Sequence, residues 1–111
     1  MNNIEVCIAP GLLDNYNVTD KIVVVVDILR ATTIITTMFS NGLAKLIPVE
    51  SLDEAKAYKK NGFLVAAERN GKKLDFADFG NSPFEFTPDK IKDKTLVYNS
   101  TNGTHTINIA Q

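Results

Sequence analysis

One cysteine and one histidine are all that 111 residues offer the softer metals. Cys7 alone cannot close an internal disulfide, and Cys7 with His105 falls short of a zinc cluster. Any bound metal would have to be held by oxygens. Long hydrophobic runs are also missing. The longest aliphatic stretch, Ile22 to Val26, is far short of the roughly 20 apolar residues of a membrane helix. No charge of one sign dominates: 12 basic residues face 13 acidic ones, and the formal net charge is -1. There is therefore no overall basic field to draw in nucleic acid. Met1-Asn2-Asn3-Ile4-Glu5 has neither a basic n-region nor an apolar h-region, which argues against a secretory signal. What is present is ordinary for a folded domain: 44% hydrophobic, 23% charged and 8% aromatic residues. That balance excludes an intrinsically disordered chain. The expectation is a cytoplasmic α/β domain with no membrane and no nucleic-acid partner.

Periodicity places the elements. Ile4, Val6 and Ile8 alternate with Glu5 and Cys7 and read as a short strand, with Cys7 buried in it. Ile22 to Val26 is β-branched and continuous, as in a strand buried on both faces. Ala31, Ile34, Ile35, Met38 and Phe39 form a helical stripe that Asn41-Gly42 stops. Leu46 to Val49 is a third strand, which Pro48 places near an edge. Ser51-Leu52-Asp53-Glu54 is a capping box that opens a helix ending at Asn61-Gly62. Phe63 to Ala67 is a fourth strand and Asn70 to Lys73 a turn. Ser82-Pro83-Phe84-Glu85 is a second capping box, whose helix Pro88 limits to about a turn. Thr95 to Tyr98 is a fifth strand, and Thr104 to Gln111 suits a helix by Ile107 and Ala110 or a strand by Ile107 and Ile109, the helix being favoured. The order predicts a mixed or mostly parallel sheet with helices packed on it. The chain is read as a single α/β domain over residues 1–111, or as the N-terminal portion of a larger, here incomplete, domain.

Ligands in such sheets bind outside the carboxyl ends of the strands, and four polar segments follow predicted strands or precede helices. Asp27-Ile28-Leu29-Arg30-Ala31-Thr32-Thr33 follows the valine run. Its Arg30, Thr32 and Thr33 sit at a helix start, which suits an anion. The alternative is an Asp27 that caps the helix and pairs with Arg30. Glu68-Arg69-Asn70-Gly71 follows the fourth strand. The chain's only two arginines, Arg30 and Arg69, each lie close behind an acid, while the ten lysines fill helix faces and turns. A guanidinium fork suits phosphate, sulfonate or carboxylate, and lysine does not replace it. The alternative is two structural ion pairs. Asp78-Phe79-Gly80-Asn81-Ser82-Pro83 offers donors from Asn81 and Ser82. Asn99 to Thr104 is a small, polar loop of the kind that cradles phosphate, without the Lys of a Walker loop or the spacing of a dinucleotide fingerprint.

Taken in order, Asp27-Ile-Leu-Arg-Ala-Thr, Glu68-Arg-Asn-Gly-Lys-Lys, Asp78-Phe-Gly-Asn-Ser-Pro and Thr101-Asn-Gly-Thr resemble one family. It is the 2-phosphosulfolactate phosphatases of coenzyme M biosynthesis, in their N-terminal half. Ala67 stands where that family usually has Gly before Glu-Arg. The haloacid dehalogenase phosphatases are set aside, because Leu29 occupies the place of their second Asp. The resemblance implies magnesium-dependent hydrolysis of 2-phospho-3-sulfolactate, or of a related small phosphorylated acid, to sulfolactate and phosphate. It assigns Asp27, Arg30, Glu68 and Arg69 to catalysis, with Asp27 and Glu68 as magnesium ligands. Thr32, Thr33, Asn81, Ser82 and Thr101, Asn102, Gly103 and Thr104 are assigned to the substrate. Which acid is ligand, base or nucleophile stays open. The rival reading is a non-catalytic anion-binding or interaction fragment of the same fold. The partner expected is a small anionic phosphorylated substrate, and the chain is expected to form a homo-oligomer.

Overall fold

The computed structural model describes residues 3–110. In chain order the elements are α1 (Ala31–Ser40), β1 (Lys45–Pro48), α2 (Leu52–Lys60), β2 (Leu64–Arg69), β3 (Lys72–Lys73), α3 (Pro88–Ile91), β4 (Thr95–Asn99) and α4 (Gly103–Ile109). Two 3-10 turns, Pro10–Asn15 and Pro83–Glu85, complete the set. The strands form one mixed sheet in the order β1-β4-β2-β3. β4 is parallel to both β1 and β2, and β3 is an antiparallel edge on β2. The expected α/β architecture, mostly parallel with helices on the sheet, is the one found.

Alternation along the two inner strands splits the core between the faces. Ala66, Leu96 and Tyr98 lie on one face, packed with Ala31, Ile34 and Met38 of α1. Val65, Ala67 and Val97 lie on the other, with Ala55 of α2. Ala67 is accommodated there, fully buried. β1 is an edge strand, which is where Pro48 is tolerated. Ser51 caps α2 by accepting from the Asp53 and Glu54 N–H groups at 3.2 and 3.4 Å. Asn70 and Gly71, both at positive φ, join β2 to β3 as a two-residue hairpin turn.

Four expectations need correction. Ile4 to Ile8 is extended but belongs to no strand, and Cys7 there is half-buried. Ile22 to Val26 is likewise extended without a ladder. Ile22, Val24 and Val26 are 95%, 76% and 72% exposed. A β-branched run makes a segment fit for a sheet, but a strand exists only where a partner backbone pairs with it. Among the described residues no such partner is found for either segment. Ser82 makes no side-chain cap, and Glu85 instead accepts from the Gly80 N–H at 2.9 Å. The helix after Ser82 has the expected length, a single 3-10 turn over Pro83–Glu85, and Pro88 then begins a separate helix, because its ring fits a first turn. Finally, β2 runs on through Glu68 and Arg69, so both lie in the strand and not beyond its tip.

Candidate functional site

Continuing β2 by two residues decides which side chains can meet. Glu68 follows Ala66 onto the α1 face, and Arg69 follows Ala67 onto the α2 face. At the carboxyl ends of β2 and β4 a pocket of about 280 Å³ opens on the α1 face. Asp27, Arg30, Glu68, Asn81 and the stretch Ser100 to Gly103 line it, with Tyr98 at its floor. The pocket is where an open α/β sheet holds ligands.

Glu68 organises the pocket. It is only 4% exposed, and its carboxylate accepts three hydrogen bonds at 2.8 Å. The Gly71 N–H donates to Oε2, and the Thr101 N–H and hydroxyl both donate to Oε1. These bonds tie the hairpin turn after β2 to the loop after β4. Burial pushes the Glu68 carboxyl up, but the three donors and the nearby Arg69 charge outweigh it and hold the group below its ordinary value of 4.5. A carboxylate has about four acceptor positions, so one, on Oε2, remains for a ligand.

Asp27 and Arg30 form no salt bridge with each other, and Asp27 does not cap α1 with its side chain. The Asp27 backbone instead fixes the helix start. Its N–H donates to Thr32 Oγ1 at 2.8 Å, and its carbonyl accepts from the Thr32 N–H at 3.1 Å. Both charged side chains therefore border the pocket uncommitted among the described residues. The N–H groups of Ala31 and Thr33 at the start of α1, and of Asn102 and Gly103 across the pocket, likewise have no partner among the described residues. Those of Thr101 and Thr104 are taken, by Glu68 and by Ser100 Oγ.

Several predicted site residues lie elsewhere. Arg69 donates through Nη1 to the Glu68 carbonyl and to Asn99 Oδ1, both at 2.7 Å. Asn99 in turn donates to the Val49 and Glu50 carbonyls, so this arginine braces β2 against the end of β1. Neither arginine forms an ion pair with its neighbouring acid. Thr32 braces the helix start, Thr33 donates to the Ile28 carbonyl, and Thr104 donates to the Ser100 carbonyl. Ser82 does not line the pocket, and Asp78 pairs with Lys59 and accepts from the Val65 N–H. Gly71 and Ser100 border the pocket from segments singled out above, and Tyr98 borders it unforeseen. A tyrosine in an otherwise aliphatic buried strand was the available signal for Tyr98, since its hydroxyl needs a partner.

No group of three His, Cys, Asp or Glu side chains forms a metal cage among the described residues. Two carboxylates and the buried, unpartnered Asn81 Oδ1 nevertheless face one pocket. An all-oxygen set of that size fits a hard cation such as Mg²⁺, which takes one or two carboxylates and completes its shell with water and phosphate. No helix of the described residues is long and apolar enough to cross a membrane.

The family model described as 2-phosphosulpholactate phosphatase matches residues 7–111. A protein of Caldanaerobacter subterraneus subsp. tengcongensis is 41% identical over 99 residues, covering 86% of this chain and 41% of its own length. One of Clostridium botulinum (strain Eklund 17B / Type B) is 40% identical over 108 residues, covering 94% and 45%. One of Thermotoga petrophila is 48% identical over 84 residues, covering 76% and 37%. Each carries the name "Probable 2-phosphosulfolactate phosphatase". The chain thus spans less than half the length of these relatives. With the pocket at the expected strand ends and a match over nearly all its residues, the chain belongs to the 2-phosphosulfolactate phosphatase family.

Proposed function

We propose that this chain supplies the anion-binding half of a phosphoric monoester hydrolase site for 2-phospho-3-sulfolactate or a closely related phosphorylated acid. The observation that carries the reading is the convergence of an unpaired arginine, a free carboxylate and three unpartnered N–H groups, those of Ala31, Asn102 and Gly103, on one pocket. Phosphoryl transfer asks mainly for positioning and charge neutralisation. Arg30 and the N–H groups of Ala31, Asn102 and Gly103 hold the phosphate oxygens. Mg²⁺, held by Asp27 and the remaining acceptor of Glu68, would neutralise phosphate charge when bound. Of the two acids, Asp27 is the one free to take a proton from water. A small-acid phosphatase of this kind works in the cytoplasm.

Titration calorimetry with inorganic phosphate tests the reading. Arg30→Lys should weaken binding about tenfold, since a hydrogen bond to a charged group is worth about 1.5–3 kcal/mol. Arg69→Lys should keep the affinity and lower the unfolding midpoint instead, because its bonds brace the sheet. Equal affinity in wild type and Arg30→Lys would remove the anion role. Glu68's commitment to three internal bonds favours a second reading, anion binding without turnover. Magnesium-dependent phosphate release from 2-phospho-3-sulfolactate separates the two.

The exposed Ile22 to Val26 segment supports a further part of the proposal, self-association. An unpaired apolar backbone edge is a template for another strand. Light scattering should give a mass above that of one chain, rising with concentration. A concentration-independent monomer would contradict it.

A further inference from the structure

Three buried side-chain oxygens or nitrogens have no hydrogen-bond partner among the described residues, and two of them, Tyr98 OH and Asn81 Oδ1, belong to residues of the pocket described above. Tyr98 is fully buried, at β4 next to Ala66. Its ring packs in the α1-side core with Ala31 and Ile34. A buried hydroxyl left without a hydrogen bond is a net cost to the ligand-free fold, which phenylalanine would not carry. The nearby Glu68 carboxylate does not accept from it. Ser100, whose hydroxyl accepts from the Thr104 N–H, lies close enough to Tyr98 OH to lower its pKa but makes no hydrogen bond of good geometry with it.

We propose that the Tyr98 hydroxyl is a ligand-binding donor, which gives its hydrogen bond to an oxygen of the anion held by Arg30 and so sets that anion's depth and orientation in the pocket. The inference rests on the phosphate-binding reading above. The charge pattern supports it. Burial raises the phenol to about 12, and the negative charges of Glu68 and Asp27 add to that, against Ser100 and Arg30. The group therefore stays protonated and can only be a neutral donor at working pH. A neutral donor between two acids and an arginine favours an oxyanion without adding charge that would repel a metal. Asn81 Oδ1 is left to accept from a donor on the ligand or on its bound water.

The test is Tyr98→Phe in the 111-residue chain, with inorganic phosphate as the probe. Three quantities are read: the unfolding midpoint without phosphate, the phosphate affinity by calorimetry, and the near-ultraviolet difference spectrum of the tyrosines. The expected result is an unchanged or raised midpoint, affinity lower by about tenfold, and a phosphate-induced tyrosine shift in wild type that the variant loses. A lowered midpoint with unchanged affinity would make Tyr98 structural and overturn the proposal. Unchanged affinity with an unchanged midpoint would overturn it too, while leaving the Arg30 site standing. If wild type itself does not bind phosphate, the functional reading fails and this inference with it. Should the variant not fold, the wild-type spectrum still decides: saturable phosphate binding without a tyrosine shift would overturn the proposal.

Discussion

Glu68→Gln is expected to lower stability by about 3 kcal/mol, on the order of 10 °C or more in the unfolding midpoint. The change is small in shape and large in hydrogen bonding. The carboxylate accepts from Gly71 N–H on one oxygen and from the N–H and hydroxyl of Thr101 on the other. An amide replaces one acceptor by an NH₂ group, so donors face donors whichever way it is turned. The group is nearly buried, and water cannot repair the mismatch. A pH series gives the sign independently. The folded-state carboxyl lies below its ordinary value of 4.5. Its contribution is therefore complete above the unfolded-state pKa and is lost as pH falls through the folded-state one. The gap between wild type and Glu68→Gln should narrow on acidification below that ordinary value. A variant as stable as wild type at neutral pH would mean the three bonds hold nothing together.

Gly103→Ala is the second large effect, and its cause is steric. A Cβ on Gly103 would lie 2.3 Å from the Ala31 Cβ and 2.9 Å from Ser100 Oγ. The Ala31 methyl has no rotamer to escape into, so α1 and α4 must move apart. Overpacking of this kind costs about 1–3 kcal/mol and occasionally more. The movement separates the two walls that carry the unpartnered N–H groups, so phosphate binding should weaken as well. Urea unfolding should show a lower midpoint with an unchanged slope. Ala31→Gly in the same chain returns the space, and the double variant should recover part of the loss despite the helix penalty of glycine. Additive losses in the pair would show that these two residues are not in contact.

Local features were legible in the sequence. The α1 stripe, the Ser51 cap, the Asn-Gly stops and the α4 helix all depend on residues within a turn or two of each other. The pocket's location followed from strand ends, and Asp27, Arg30, Glu68, Asn81 and Thr101 to Gly103 do meet there. What was not legible depends on distant partners. The valine run announces a segment suited to a sheet, but nothing local says whether another backbone lies beside it. Arg69 was grouped with Arg30 by chemistry. β2 runs on past the expected end at Ala67 through Glu68 and Arg69, and the alternation of the strand turns Arg69 to the other face. Glu68 looked like a free acid because its donors come from a turn and from a loop 33 positions away.

Amide-resolved NMR of the chain during titration with inorganic phosphate tests the anion pocket most directly. Saturable shifts should concentrate at the N–H groups of Ala31, Asn102 and Gly103, which line the pocket and lack partners among the described residues. The start of α2 serves as a control, because Ser51 already caps the Asp53 and Glu54 N–H groups. Shifts of equal size at Asp53 and Glu54, or none at the three pocket amides, would contradict an anion site at the ends of β2 and β4.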